Sequence, residues 1–195
     1  MLDKKIKKKI LILNGSPKGS GGNCQILISK IIKNLSDHQV EVCHLSQENY
    51  SLKIKAKLKA ANGVIFVSGT YWDSWGSPLQ KFLEKATELE GSPILLGKPC
   101  AVFILMHSVG GKGVLSRLQG VLSTLGFLIP PMSGMVYSSV AQKALKSAKM
   151  VGREDIWSLN DILLILANLR VSLEIKKDWI SWPVDQKNFR KLWLK

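Results

Sequence analysis

Cysteine is scarce in this 195-residue chain: only Cys24, Cys43 and Cys100 occur, an odd number and widely scattered. That excludes a disulfide framework and a thiolate metal cluster, and it fits a reducing, cytoplasmic setting. Acidic residues are also few, 14 against 28 Lys and Arg. Nothing resembles the paired carboxylates, the Ser–His–Asp set or the ligand cluster that hydrolytic or metal-assisted chemistry needs. Long apolar runs are missing as well; a stretch such as residues 162–167 is far too short to cross a bilayer. The start of the chain, with Lys4, Lys5, Lys7, Lys8 and Lys9, imitates a signal peptide. The apolar run behind it stops at Asn14-Gly15, too soon for one.

What is present is the composition of a globular domain. Apolar residues make up 46% of the chain, which excludes disorder and suffices for a core without staples. The length suits one domain over residues 1–195, with a core at about 8–175 and a basic, tryptophan-containing tail at 176–195. The formal net charge of +14 asks for an explanation. A solvated basic surface is the default location for lysine, and no nucleic-acid motif accompanies it. Nucleic acid is therefore disfavoured as a partner, and an acidic small molecule remains.

Strands and helices alternate throughout. Apolar runs bounded by turn residues place strands at 10–13, 40–45, 64–68 and 99–106, with a fifth within 127–137 interrupted by Pro130-Pro131. Helical spacing places helices at 25–35, 77–89, 114–125 and about 155–173. Residues 52–61 alternate Lys with apolar residues as a strand does. Ala, Leu and Lys are nevertheless strong helix formers and Asn62-Gly63 is a good stop, so a helix is expected. Such alternation predicts a doubly wound five-stranded parallel sheet with helices on both faces, in the flavodoxin-like order 2-1-3-4-5.

In such a sheet ligands gather at the carboxyl ends of the strands, and three unusual loops fall there. The first is Gly15-Ser16-Pro17-Lys18-Gly19-Ser20-Gly21-Gly22-Asn23-Cys24, between a buried strand and a helix N-terminus. Backbone N–H groups and the helix dipole favour an anion there, and Ser16, Lys18 and Ser20 add donors. Neither the mononucleotide P-loop spacing nor Gly-x-Gly-x-x-Gly is met. The second, Thr70-Tyr71-Trp72-Asp73-Ser74-Trp75, crowds aromatics onto a loop, where they either pack on something or await a flat ligand. Trp75 equally suits a cover over the sheet edge or a subunit contact. The third, His107-Ser108-Val109-Gly110-Gly111-Lys112-Gly113, is flexible enough to bring N–H groups against a ligand.

The first loop resembles the phosphate loop of flavodoxin-like NAD(P)H-dependent FMN oxidoreductases: Gly15, Ser16, Pro17 and Lys18, then Gly22, Asn23 and Cys24 stand for Gly-Ser-Pro-Arg/Lys and Gly-Asn-Thr. Cys24 replaces the usual Thr, and a thiol is the weaker donor. Thr70, Tyr71, Trp72, Ser74, Pro78, Leu79, Lys81 and Phe82 resemble the family's Thr-x-Tyr-Trp-x-Ser…Pro-Leu-x-Lys-Phe, with Gly69 where Pro is frequent. The resemblance spans about residues 8–170. It implies FMN held by Ser16, Lys18, Ser20, Gly22, Asn23, Cys24, Thr70, Tyr71, Trp72, Asp73, Ser74, His107, Ser108, Gly110 and Gly111, with NAD(P)H as co-substrate and a small-molecule acceptor. His107 equally suits an ordinary structural role. No protein side chain is expected to be catalytic, because the flavin carries the chemistry. A homodimer with the Trp75 loop near the contact is expected. Two other readings stay open: an FMN-binding electron carrier without a nicotinamide site, which would not turn over NAD(P)H, and a basic anion- or nucleic-acid-binding protein on a degenerate flavodoxin scaffold, which would be colourless.

Overall fold

Five apolar runs pair in parallel as β1 (Lys9–Asn14), β2 (Gln39–His44), β3 (Gly63–Gly69), β4 (Cys100–Met106) and β5 (Gly134–Ser138), in the spatial order β2-β1-β3-β4-β5. The structure is a computed structural model and describes residues 7–48, 50–147, 156–176 and 178–184. Ile12 sits between Val42 and Ile65, and Phe66 pairs with both Leu13 and Val102. Central β3 is buried at its first six positions. A strand covered on both faces needs apolar residues in succession, which is why these segments read as continuous runs. The edge strand β2 buries only Cys43.

Parallel strands need crossover helices, and right-handed crossovers decide which face each helix covers. Helices α1 (Asn23–Lys33) and α6 (Asp161–Leu173) bury Leu27, Ile28, Ile31, Ile165, Leu166 and Leu169 on one face. Helices α2 (Leu52–Ala60), α3 (Ser77–Ala86) and α4 (Gly111–Leu125) cover the other, around Phe66, Phe82 and Leu118. The Lys-alternating segment is indeed the helix α2: Ile54 and Leu58, four residues apart, are its buried positions, and the lysines between them are held by acids, Lys55 by Glu88 and Lys57 by Glu41 and Glu48.

The strand expected within 127–137 is broken at the prolines: Leu128 makes an isolated bridge to Pro99, and β5 begins at Gly134. Pro130-Pro131 supplies no N–H to a ladder, so pairing resumes beyond them. The last helix starts at Asp161, since 156–160 are not helical; the Asp155 start lies outside the described residues. A further helix, α5 (Ser139–Ser147), was not anticipated. From the tail, residues 178–184 pack on the domain itself: the Trp179 ring lies on Gly97, and Trp182 Nε1 donates to Glu90 Oε1 at 3.2 Å. Residues 185–195 lie outside the described residues.

An ion pair ties α6 to the turn that follows α1. Arg170 of α6 meets both Asp37 carboxylate oxygens, at 2.9 and 2.8 Å, and donates to Asn34 O at 2.6 Å. The hydrogen bond from Arg170 holds the Asp37 carboxyl down at about 2. A carboxyl lowered on folding stabilises above its unfolded value, about 3.9, and loses that contribution as pH falls through about 2. The stability difference between the wild type and Asp37→Asn is therefore expected to shrink between pH 5 and pH 2 in urea melts. A constant difference across that range would show that the ion pair contributes nothing.

Candidate active site

The carboxyl ends of β1, β3, β4 and β5 surround a cavity of about 490 Å³. Its walls are Ser16, Lys18, Asn23 and Cys24 from the first loop, Gly69, Thr70 and Tyr71 from the second, and Leu105, Met106 and His107 at the end of β4. Tyr137, Ser139 and Leu159 close the β5 side, and Ile26, Leu27 and Lys30 line the flank of α1. Among the described residues, the charged or titrating wall groups are lysine, histidine, tyrosine and cysteine, and none is a carboxylate. Such a space favours an anion.

The first loop is organised by a residue that sequence reasoning passed over. Buried Asn14 donates to Gly19 O at 2.7 Å, lies 3.1 Å from His44 Nδ1, and accepts the Ser16 N–H at 3.0 Å. Ser16 Oγ then accepts the Lys18 N–H at 3.2 Å. Gly19 and Gly22 turn the chain at φ of 54° and 86°, in the left-handed region that glycine enters without strain. The loop delivers the chain to an α1 N-terminus that no side chain caps and whose first turn holds no acid. Its positive dipole end is thus left uncompensated. Cys24 is buried beside the Ser16 hydroxyl, and burial pushes its thiol up to about 11. It is a neutral S–H at neutral pH, a weak donor rather than a nucleophile.

The second loop is a tight hairpin. Tyr71 and Ser74 exchange backbone hydrogen bonds of 2.8 and 3.0 Å, with Trp72 and Asp73 between them at φ of 49° and 55°. This is the two-residue hairpin geometry that normally selects Asn-Gly, so a Trp-Asp pair there is strained. The hairpin turns the Tyr71 ring onto Gly69 and brings its hydroxyl 3.5 Å from Ser16 Oγ. The second loop therefore reaches over to the first. A Cβ at Gly69 would press on that ring. Thr70 Oγ1 is buried with no hydrogen-bond partner among the described residues, a costly position unless something else bonds it.

Arg117 of α4 holds this hairpin, donating to the Asp73 carbonyl and lying 6.0 Å from the Trp75 ring centroid. Trp75 packs on the core, and its indole N–H donates to Gln80 at 2.9 Å. Of its open readings, the cover over the sheet is the one realised within this chain. Trp72 stands fully exposed at the hairpin tip.

Of the residues singled out by sequence, Ser16, Lys18, Asn23, Cys24, Thr70, Tyr71 and His107 come together around the cavity, while Ser20, Gly22, Trp72, Asp73, Ser74, Ser108, Gly110 and Gly111 are not among its walls. The last two glycines do packing work instead. A Cβ at Gly110 would run into Asp73 Oδ1, and one at Gly111 into Val136. His107 presents its exposed ring to the cavity, and its carbonyl accepts the Val140 N–H at 2.9 Å. Nine wall residues were missed: Ile26, Leu27, Lys30, Gly69, Leu105, Met106, Tyr137, Ser139 and Leu159. Only the spacing 23, 26, 27, 30 on α1 carried a signal, since i, i+3, i+4 and i+7 share one helix face.

Residues 8–142 match the family model described as NADPH-dependent FMN reductase. No curated protein matches the sequence. Among solved structures, the apo form of the NADH:FMN oxidoreductase EMOB is similar with a TM-score of 0.63 at 18% identity, over 87% of this chain and 92% of that one. FerB, the flavoenzyme NAD(P)H:(acceptor) oxidoreductase of Paracoccus denitrificans, gives 0.60 at 16% identity, over 86% and 96%. A WrbA-like flavodoxin protein of Agrobacterium tumefaciens gives 0.63 at 16%, over 87% and 100%. These identities establish a shared fold. The family match does more, because it spans all five strands and all three loops. The chain belongs to the NADPH-dependent FMN reductase family, and is an oxidoreductase that works with FMN and a nicotinamide co-substrate.

Proposed function

We propose that this protein passes reducing equivalents from NAD(P)H through FMN to a small acceptor of the quinone or flavin class, and that the cavity at the strand ends is where this happens. The observation that carries the reading is the unpartnered, buried Thr70 hydroxyl in the same cavity as the uncapped α1 terminus and Lys18. A ligand with an anionic end and hydrogen-bonding ring edges would satisfy all three. FMN has that shape, so the residues fit it. When bound, it supplies the centre that accepts and returns a hydride.

The chain's own residues do the rest. Ser16, Lys18 and the first-turn N–H groups at Asn23 and Cys24 would hold the terminal phosphate. Thr70, Tyr71 and His107 would hold the ring, the first and last through hydrogen bonds. Leu105, Met106 and Tyr137 exclude water, which strengthens each of these bonds. Ser16→Ala and Lys18→Ala are each expected to weaken FMN by about 1–3 kcal/mol without unfolding the protein. Titration decides it: riboflavin binding as tightly as FMN, or variants binding as well as the wild type, would remove the phosphate from this loop. Anaerobic mixing with NADPH or NADH is the functional test. Flavin that stays oxidised would mark a carrier rather than a reductase.

The proposal extends to a homodimer. Apolar surface stands exposed on α6 at Leu163, Leu164 and Val171, and at Trp72 on the hairpin tip. Exposed apolar surface of this kind is more easily covered by a partner than left in water. Light scattering across a dilution series is expected to return twice the chain mass; one chain mass at micromolar concentration contradicts the dimer.

A further inference from the structure

The cavity is longer than a phosphate site requires. Asn23, Ile26, Leu27 and Lys30 all line it, and at about 1.5 Å per residue the last lies about 10 Å along α1 from the first. This flank is chemically unlike the loop end. Ile26 is 59% exposed although it lies on a cavity wall. Leu27, Tyr137 and Leu159 extend the apolar surface. The flank ends in one cation: Lys30 is exposed, and among the described residues no carboxylate pairs with it. Other lysines of this chain, Lys8, Lys55 and Lys57, do have acidic partners.

An apolar trough with a free cation at its end complements a flat apolar molecule carrying one acidic group. We propose that this flank of α1 is the acceptor subsite, and that Lys30 selects ring acceptors bearing a sulfonate or carboxylate. The assignment rests on the reading of the same cavity as the flavin site, whose phosphate occupies the other end. In the overall reaction a quinone takes up two electrons and two protons to give the hydroquinone. NAD(P)H supplies a hydride, which carries both electrons and one proton's nucleus, and water supplies the second proton. Lys30 is a specificity residue and takes no part in the transfer.

The test uses two quinones of opposite kind, anthraquinone-2-sulfonate and uncharged 2-methyl-1,4-naphthoquinone, with the FMN-loaded protein. Lys30→Glu is expected to raise KM for the sulfonated quinone about tenfold, since attraction becomes repulsion, with kcat and the uncharged quinone unchanged. Lys30→Arg should behave as the wild type. Ile26→Ser is expected to raise KM for both quinones. Equilibrium dialysis of the sulfonated quinone against the oxidised protein needs no turnover, so it decides the subsite even if neither nicotinamide reduces the flavin. Equal effects of Lys30→Glu on both quinones, no effect on either, or a change confined to NADPH relative to NADH each overturn the proposal.

Discussion

Replacing Gly76 with alanine is expected to abolish tight flavin binding and to lower the melting temperature by roughly 10 °C. Gly76 precedes α3, where the second loop crosses the first. Its N–H donates to the buried Ser68 hydroxyl at 3.0 Å, and the Gly15 N–H donates to Val67 O at 2.8 Å. The two loops are thereby laid backbone against backbone. A Cβ at residue 76 would run into the Gly15 carbonyl oxygen and stand 3.0 Å from Pro17 Cδ. Neither obstacle is the end of a flexible side chain. Relief must come from moving the phosphate loop, at a cost of about 3 kcal/mol. Calorimetry and FMN titration on the same sample check both halves. A variant that melts and binds as the wild type does would show that the loops slide apart cheaply, and the close crossing would lose its meaning.

Phe66→Ala is expected to separate stability from the site. The ring is fully buried on β3, meets Phe127 edge-on at 5.4 Å between centroids, and lies 6.4 Å from Phe82. Removing it leaves a void beneath three helices, at a cost of about 3–5 kcal/mol. Its neighbours in register are Leu13 and Val102, inside the sheet and short of the residues that line the cavity. FMN affinity measured well below the melting point should therefore match the wild type. A matching loss of affinity would mean that the strand ends are not rigid supports.

The sheet was legible in the chain because its strands are buried on both faces, so that Val64 to Val67 or Cys100 to Ile104 leave no other reading. Boundaries are hardest to read where local chemistry and pairing part company. Leu128 is apolar and extended yet only bridges Pro99, because the prolines that follow cannot join a ladder. The short helix α5, Ser-Val-Ala-Gln-Lys-Ala-Leu-Lys-Ser, has too few apolar positions to announce a buried face. The site was legible in the same degree. Loops rich in glycine or aromatics stand out, which is why Ser16, Lys18, Thr70 and Tyr71 were found. Tyr137 and Leu159 sit far along the chain in unremarkable surroundings, and only the topology brings them to the same cavity. Trp72 misled for the opposite reason. Its aromatic bulk suggested a ligand contact, and in this structure the ring stands exposed at the hairpin tip, outside the cavity lining.

The segment 178–184 rests on Gly91 and Gly97, where β4 begins, whereas the cavity opens where β4 ends. Seven residues of strand at about 3.3 Å each put about 20 Å between them. The rigid length of β4 keeps this strap and the cavity from sharing a single wall residue. A change in the seating of Trp179 is therefore expected to leave the loops at the far end of the strand where they are.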